Sequence, residues 1–168
     1  MLESLQSFTT AFPPLLQWLG VMLIGAVPFV ESYFGSVVGI LTGVHPLLAV
    51  GAASAGNILS MLASVLAASS VRRRLKGNGN EGMESPRRRR LRAAFVRFGV
   101  AGANLFGQAI LPSQITATAL VSFGAPRRAV VLWQLISITL WGAAFGLLAV
   151  RGSDLLALTS WSKQWRGG

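Results

Sequence analysis

The hydrophobic pattern divides the chain into four apolar stretches, set apart by short breaks and one long polar connection. Leu15 to Val44 is apolar over about thirty residues, more than the roughly twenty a helix needs to cross a bilayer. Pro28 interrupts it by removing a backbone donor, while Gly35 and Gly39 allow another backbone to come close. The stretch reads either as one span with a short return or as two half-helices meeting near Pro28. In a bilayer, broken backbone survives only against other protein or a wet cavity. Gly43-Val-His-Pro46 makes a turn, since the residue before a proline avoids the helical region. Leu47 to Val71 is an uninterrupted run of twenty-five residues, a span with some tilt. Phe98 to Ala125 is apolar again and broken at Pro112; Pro126-Arg127-Arg128 follows, and Ala129 to Val150 reads as a clean span carrying Trp133 and Trp141. Residues 1–14, ending at Pro13-Pro14, suit a surface segment or a helix start, with Trp18 an interfacial anchor. In the polar tail 151–168, Leu155, Leu156, Leu158, Trp161 and Trp165 fit one face of an interfacial helix.

The two halves repeat one order: an apolar segment broken by a proline, a turn ending in a proline, then a full span. The proline-to-proline spacing is eighteen residues in the first half (Pro28, Pro46) and fourteen in the second (Pro112, Pro126). Excess Lys and Arg marks cytoplasmic loops. The basic loop 72–97 is therefore expected inside the cell, His45 outside, and Arg127 and Arg128 inside. The fold expected is an all-α, multi-pass protein of the cytoplasmic membrane in a single domain. It has two inverted repeats, 15–71 and 98–150, each a re-entrant helical hairpin followed by one transmembrane helix. Broken helices of inverted repeats meeting at mid-membrane are a transporter arrangement. The alternative makes 15–44 and 98–125 simple spans, giving four ordinary helices, and places Arg127-Arg128 outside against the charge rule. Gly35, Gly39 and Gly43 stand four apart, as do Gly142 and Gly146, the small-residue spacing of close helix packing.

Composition strengthens the membrane reading. Of the 168 residues 52% are hydrophobic and only 12% charged, where a soluble domain carries roughly a quarter. The formal net charge of +10 comes from fifteen Lys and Arg, ten of them between Arg72 and Arg97, including Arg87-Arg-Arg-Arg90 and Arg92. Gly77-Asn-Gly-Asn-Glu-Gly82 and Ser85-Pro86 break helix between the two basic runs. These residues flank apolar spans, so they point to topology and anionic lipid, and not to nucleic acid. There is no Cys, which excludes disulfides and thiolate chemistry. The N-terminus has no basic region ahead of its apolar run, so no cleaved signal peptide is expected.

Candidate chemistry centres on Glu31, the sole formally charged residue between Trp18 and Val71. A lone carboxylate in an apolar run faces a protein interior or a wet cavity and marks a functional site. Its functional role is to exchange a proton or cation; its structural role is to cap the second half-helix at the positive N-terminal end. Asn57 needs a hydrogen-bonding partner and so faces another segment, either stapling two helices or lining a substrate path. Gln108, Gln114, Thr116 and Thr118 join Glu31 and Asn57 as groups that contact substrate or ion, with Pro28 and Pro112 opening the helices there. Asn104 and Ser113 lie in the same segment. Arg97, Arg127 and Arg128 stand at the inner mouth, to attract an anionic headgroup or only to fix topology. His45 reads as a turn residue at the membrane surface. One His, one intramembrane carboxylate and no phosphate loop or metal-ligand spacing argue against an enzyme, a metal site or a cofactor. An accessory subunit of a larger membrane complex, packing through its glycine faces, is the alternative to a transporter.

The chain resembles the small multidrug export (efflux) protein family, relatives of the DedA or VTT-domain membrane proteins. The similarity lies in Gly25-Ala-Val-Pro-Phe-Val-Glu31, in Gly43-Val-His-Pro46 followed by Gly56-Asn57, and in the basic loop. It continues through Arg97-Phe-Gly99, Leu111-Pro112 with Thr116 and Thr118, and Gly124, covering roughly residues 20–150. The resemblance implies two re-entrant helices in inverted arrangement and ion-driven movement of small amphiphiles or lipid-linked carriers. A homodimer or a larger membrane complex would be the working form. DedA proteins carry acids in the first re-entrant segment and arginine in the second. Here Glu31 matches the acid, but the Pro112 segment has no Arg, which counts against recognition of a phosphate headgroup.

Overall fold

The computed structural model describes residues 1–76 and 99–166, with side chains described through Ala68, at Ser70 and from Gly99 to Ser153. The order is α1 (Leu2–Thr10), a 3-10 turn (Pro14–Leu16), α2 (Gln17–Gly25), α3 (Glu31–Leu41), α4 (Pro46–Lys76), α5 (helical over 99–107), α6 (Ser113–Ser122) and α7 (Arg127–Arg166). The described residues contain no strand. Among the described residues two stretches are long and apolar enough to cross a membrane, Pro46–Ala68 in α4 and Arg127–Ser153 in α7. A third exists if Leu2–Thr10 and Pro14–Gly25, bent by 116° at Pro13-Pro14, count as one broken span.

Neither 15–44 nor 98–125 is a continuous helix. α2 and α3 have 9 and 11 residues, about 14 and 16 Å, against about 30 Å of hydrocarbon. This corrects the four-ordinary-helix alternative. The breaks fall at 26–30 and 108–112, around the two prolines. In the first, Phe29 and Glu31 have φ of 70° and 55°, a left-handed backbone that costs non-glycine residues about 1–3 kcal/mol each.

Both short helices α3 and α6 end in the same way. The N–H of Gly43 bonds Ile40 O at 3.0 Å and that of Val44 bonds Gly39 O at 2.9 Å. In the second half Gly124 bonds Val121 O and Ala125 bonds Leu120 O, both at 3.1 Å. These are matching Schellman turns, with glycine at the left-handed position and proline soon after. Gly43 has φ +90° and open space where a Cβ would sit, so it makes the turn and does not pack, contrary to the glycine-row expectation.

The remaining glycines let helices touch. A Cβ on Gly25 would strike the carbonyl of Ala53, and one on Gly56 the carbonyl of Met22, which fixes the crossing of α2 on α4. Gly39 faces Ala49 and Val21, Gly142 faces Ser54 and Ser32, and Gly146 faces Val50 and Ile40. Thus α4 and α7 run antiparallel, with α3 packed between them on one side. Toward the other end, Met61 and Val65 of α4, Ala117, Leu120 and Val121 of α6, and Val130 and Ile138 of α7 form the largest apolar cluster.

Three boundaries differ from the sequence expectations. Residues 2–10 form a helix packed on α2 and α3, its Phe8 ring edge-on at 5.4 Å to that of Phe12 just beyond it. The loop expected from residue 72 begins later, because α4 continues to Lys76. The tail expected after Val150 is a direct continuation of α7 to Arg166, since no proline stops it and one Gly costs a helix only about 1 kcal/mol. The side chains of Leu155, Leu156, Leu158, Trp161 and Trp165 lie outside the described residues, as do those of 72–76 and the whole of 77–98 with Arg87–Arg90, Arg92 and Arg97.

Candidate functional site

Glu31 is the first residue of α3 and is fully buried. Its Oε1 accepts the backbone N–H of Ser113, the first residue of α6. The first N–H groups of a helix have no intrahelical acceptor, so a carboxylate there is favoured by both hydrogen bonding and the helix dipole. The expected cap on α3 itself is absent: Val30 is the N-cap and no side chain bonds there. The carboxylate caps the opposing half-helix because the left-handed turn at Phe29–Glu31 places it at α6. Its second oxygen, Oε2, has no partner among the described residues.

Asn57, fully buried on α4, completes the junction. Its Oδ1 accepts from Ser113 Oγ at 2.8 Å and from Gln114 Nε2 at 3.3 Å. Gln114 also reaches Ser60 Oγ at 3.3 Å. Asn57 therefore staples α4 to α6, while its Nδ2 stays unpartnered beside the same junction. Gln108, in the break between α5 and α6, comes close enough to the Glu31 carboxyl to interact with it, although its Nε2 makes no hydrogen bond of good geometry. Its Oε1 accepts from Ser137 Oγ of α7 at 2.7 Å. Ser32 of α3 donates to Ile138 O at 2.8 Å, so α3, α4, α5, α6 and α7 all bond into this one region.

Of the residues singled out in the sequence, the structure brings Glu31, Asn57, Gln108 and Gln114 together, with Pro112 buried at the head of α6. Thr116 is buried against Gly107 of α5, its hydroxyl unpartnered. Thr118 is half-buried and takes no part in the bonded set. Pro28 is exposed, acting through the turn it makes and not by touching the junction. Arg127 and Arg128 are exposed at the head of α7, and His45 is exposed in its turn. Ser137 of α7, fully buried, joins the site through Gln108, and Gln134, also fully buried, lies one turn from it, although the stretch around them reads as a clean span. A single amide in an apolar run, the signal that marks Asn57, marks Gln134 equally.

Unpartnered buried polar atoms are rare in folded proteins, and each costs about 1–3 kcal/mol. Here Glu31, Ser54, Asn57, Asn104, Gln108, Thr116 and Gln134 all carry at least one. Such a group can bind water, a cation at the carboxylate, or the hydrogen-bonding groups of a guest molecule. Comparison with protein-family models, with curated proteins and with solved structures finds no match to this chain.

Proposed function

We propose that this protein is a small transporter of the cytoplasmic membrane that moves amphiphilic molecules or lipid-linked carriers, coupled to a proton or cation exchanged at Glu31. The observation that carries the reading is the buried Glu31 carboxylate, held by the α6 N-terminus with Oε2 left unpartnered. An intramembrane carboxylate of this kind marks ion or proton pathways. In this reading α2–α3 and α5–α6 are re-entrant hairpins of two inverted repeats, related as in the DedA-like family the chain resembles. The matching Schellman turns, each followed by a long helix, support that relation. Asn57, Gln108 and Gln114 then line the shared cavity, and residues 77–98 face the cytoplasm. The polar groups of the junction serve binding and coupling, with no covalent chemistry.

The test is reconstitution in liposomes, wild type against Glu31→Gln, with gradient-driven movement of a cationic dye and of a polyprenyl-phosphate analogue as readouts. Movement of either probe that disappears in the variant supports a coupled carrier. A folded wild type that moves neither probe and does not discharge the gradient refutes it and leaves the accessory-subunit alternative.

A further inference from the structure

The unpartnered polar atoms are unevenly placed along the membrane axis. α4 and α7 are antiparallel, and three contacts set their levels: Val50 beside Gly146, Ser54 beside Gly142, and Met61 with Val65 in one cluster with Val130 and Ile138. Glu31 sits near the middle, since its neighbour Ser32 meets Ile138. Toward the face where α4 ends and α7 begins lie Gln108, Asn104, Ser137 and Gln134. Ser137 donates within reach of both Gln108 Oε1 and the Asn104 carbonyl, at 2.7 and 3.1 Å. Gln134 is one turn further along the same α7 face, and both its amide atoms are unpartnered at 0% exposure. Asn104 is one turn from Gln108 on α5, its Oδ1 also unpartnered.

On the opposite side of Glu31 the packing is close. Gly39 sits against Ala49 and Val21, and Gly146 against Val50, with no room for a Cβ at either. Two of the hydroxyls there are paired, Ser32 with Ile138 O and Ser36 with Ser32 O at 2.6 Å. Ser54, at the level of Gly142, holds the one unpartnered atom near this boundary among the described residues.

We infer that Gln134, Asn104, Ser137 and Gln108 line a one-sided water file along the α5–α7 seam. The file connects Glu31 to the membrane face bearing residues 77–98, while the glycine-packed side is closed. A buried water needs room and two to four polar partners, and the seam supplies such partners in sequence. This rests on the proposed exchange at Glu31 and adds its direction of access.

The absence of Cys in the chain makes the test direct. Ser137→Cys, Gln134→Cys and Ser36→Cys are made singly in the full chain and placed in vesicles whose orientation is scored by trypsin cleavage within 77–98. Silver ion, which travels where water does and binds a cysteine as its thiolate, is added to one face. Blocked thiols are then read as lost maleimide labelling after denaturation. Silver from the 77–98 face is expected to abolish labelling at 137 and 134, with no loss from the other face and no loss at 36 from either. Full labelling at both 137 and 134, or equal loss from the two faces, or loss at 36, overturns the one-sided file. Two file positions keep the test open if one variant misfolds. A failed silver result beside transport lost in Glu31→Gln removes the route alone; unaffected transport in Glu31→Gln removes the exchange at Glu31 on which the file depends, whatever silver does.

Discussion

Glu31, at the start of α3, accepts the backbone N–H of Ser113, at the start of α6, across 82 residues of sequence. This bond joins the first residues of the two short helices that follow the prolines, beside the bonds that Asn57 makes to Ser113 and Gln114. The consequence for stability differs between substitutions. In Glu31→Ala the Ser113 N–H is stranded in a buried site, at a cost of about 1–3 kcal/mol. In Glu31→Gln the amide oxygen still accepts, so the fold is expected to lose less than about 1 kcal/mol. Chemical unfolding in mixed micelles separates them. Equal losses in the two variants would show that the carboxylate's charge, and not its role as acceptor, holds α6. The near-native stability of Glu31→Gln is also what makes it a fair reagent for the transport assay.

The α2–α4 crossing is set by backbone, with no flexible side chain to yield. Gly25 and Gly56 face the carbonyls of Ala53 and Met22 so closely that a methyl group cannot be placed on either. Gly25→Ala and Gly56→Ala are expected to separate the helices and lower stability by about 1–3 kcal/mol each. Gly107→Ala is the milder comparison, because its nearest neighbour is the Thr116 methyl at 3.1 Å, a side-chain atom. Thermal melting followed by size-exclusion in detergent ranks the three, and a Gly107 variant as damaged as the Gly25 variant would contradict the geometry.

How much of this was open to sequence reasoning depends on whether the signal is local. Pro28, Pro112, Pro46 and Pro126 act on their own backbone, so the order of broken and unbroken helices can be read from them. Asn57 can be singled out because a lone amide in an apolar helix requires a partner. The same logic applies to Gln134, and Ser137 one turn on, but the flanking tryptophans make that stretch look like a plain span. The partner of Glu31 is not legible, because local logic sends the carboxylate to the N-terminus of its own helix. Only the left-handed backbone at Phe29 and Glu31 turns it to α6, and positive φ at non-glycine residues leaves no mark in the sequence. The length of α7 is missed for a simpler reason. Arg151 and Gly152 change the polarity of the chain without breaking its helix.

Three open-space glycines separate backbone strain from packing. Apart from the adjoining chain, nothing lies within 4 Å of a Cβ built on Gly43, Gly124 or Gly51, so none of the three has a packing clash to relieve. Gly43 and Gly124 have φ of +90° and +97°, whereas Gly51 is inside α4. An alanine in the left-handed region costs roughly 1–2 kcal/mol. Within a helix, alanine is favoured over glycine by about 0.5–1 kcal/mol. Gly43→Ala and Gly124→Ala should therefore destabilise by similar amounts, and Gly51→Ala should be neutral or stabilising, all read by the same unfolding assay. Asn tolerates the left-handed region better, so Gly43→Asn should recover part of the loss. The equality of Gly43 and Gly124 is the sharper test, because it asks whether the two halves end their short helices with the same energetics as well as the same bonds. A marked loss at one position with none at the other would mean that only one Schellman turn bears on stability, and the likeness of the halves would then be one of form alone.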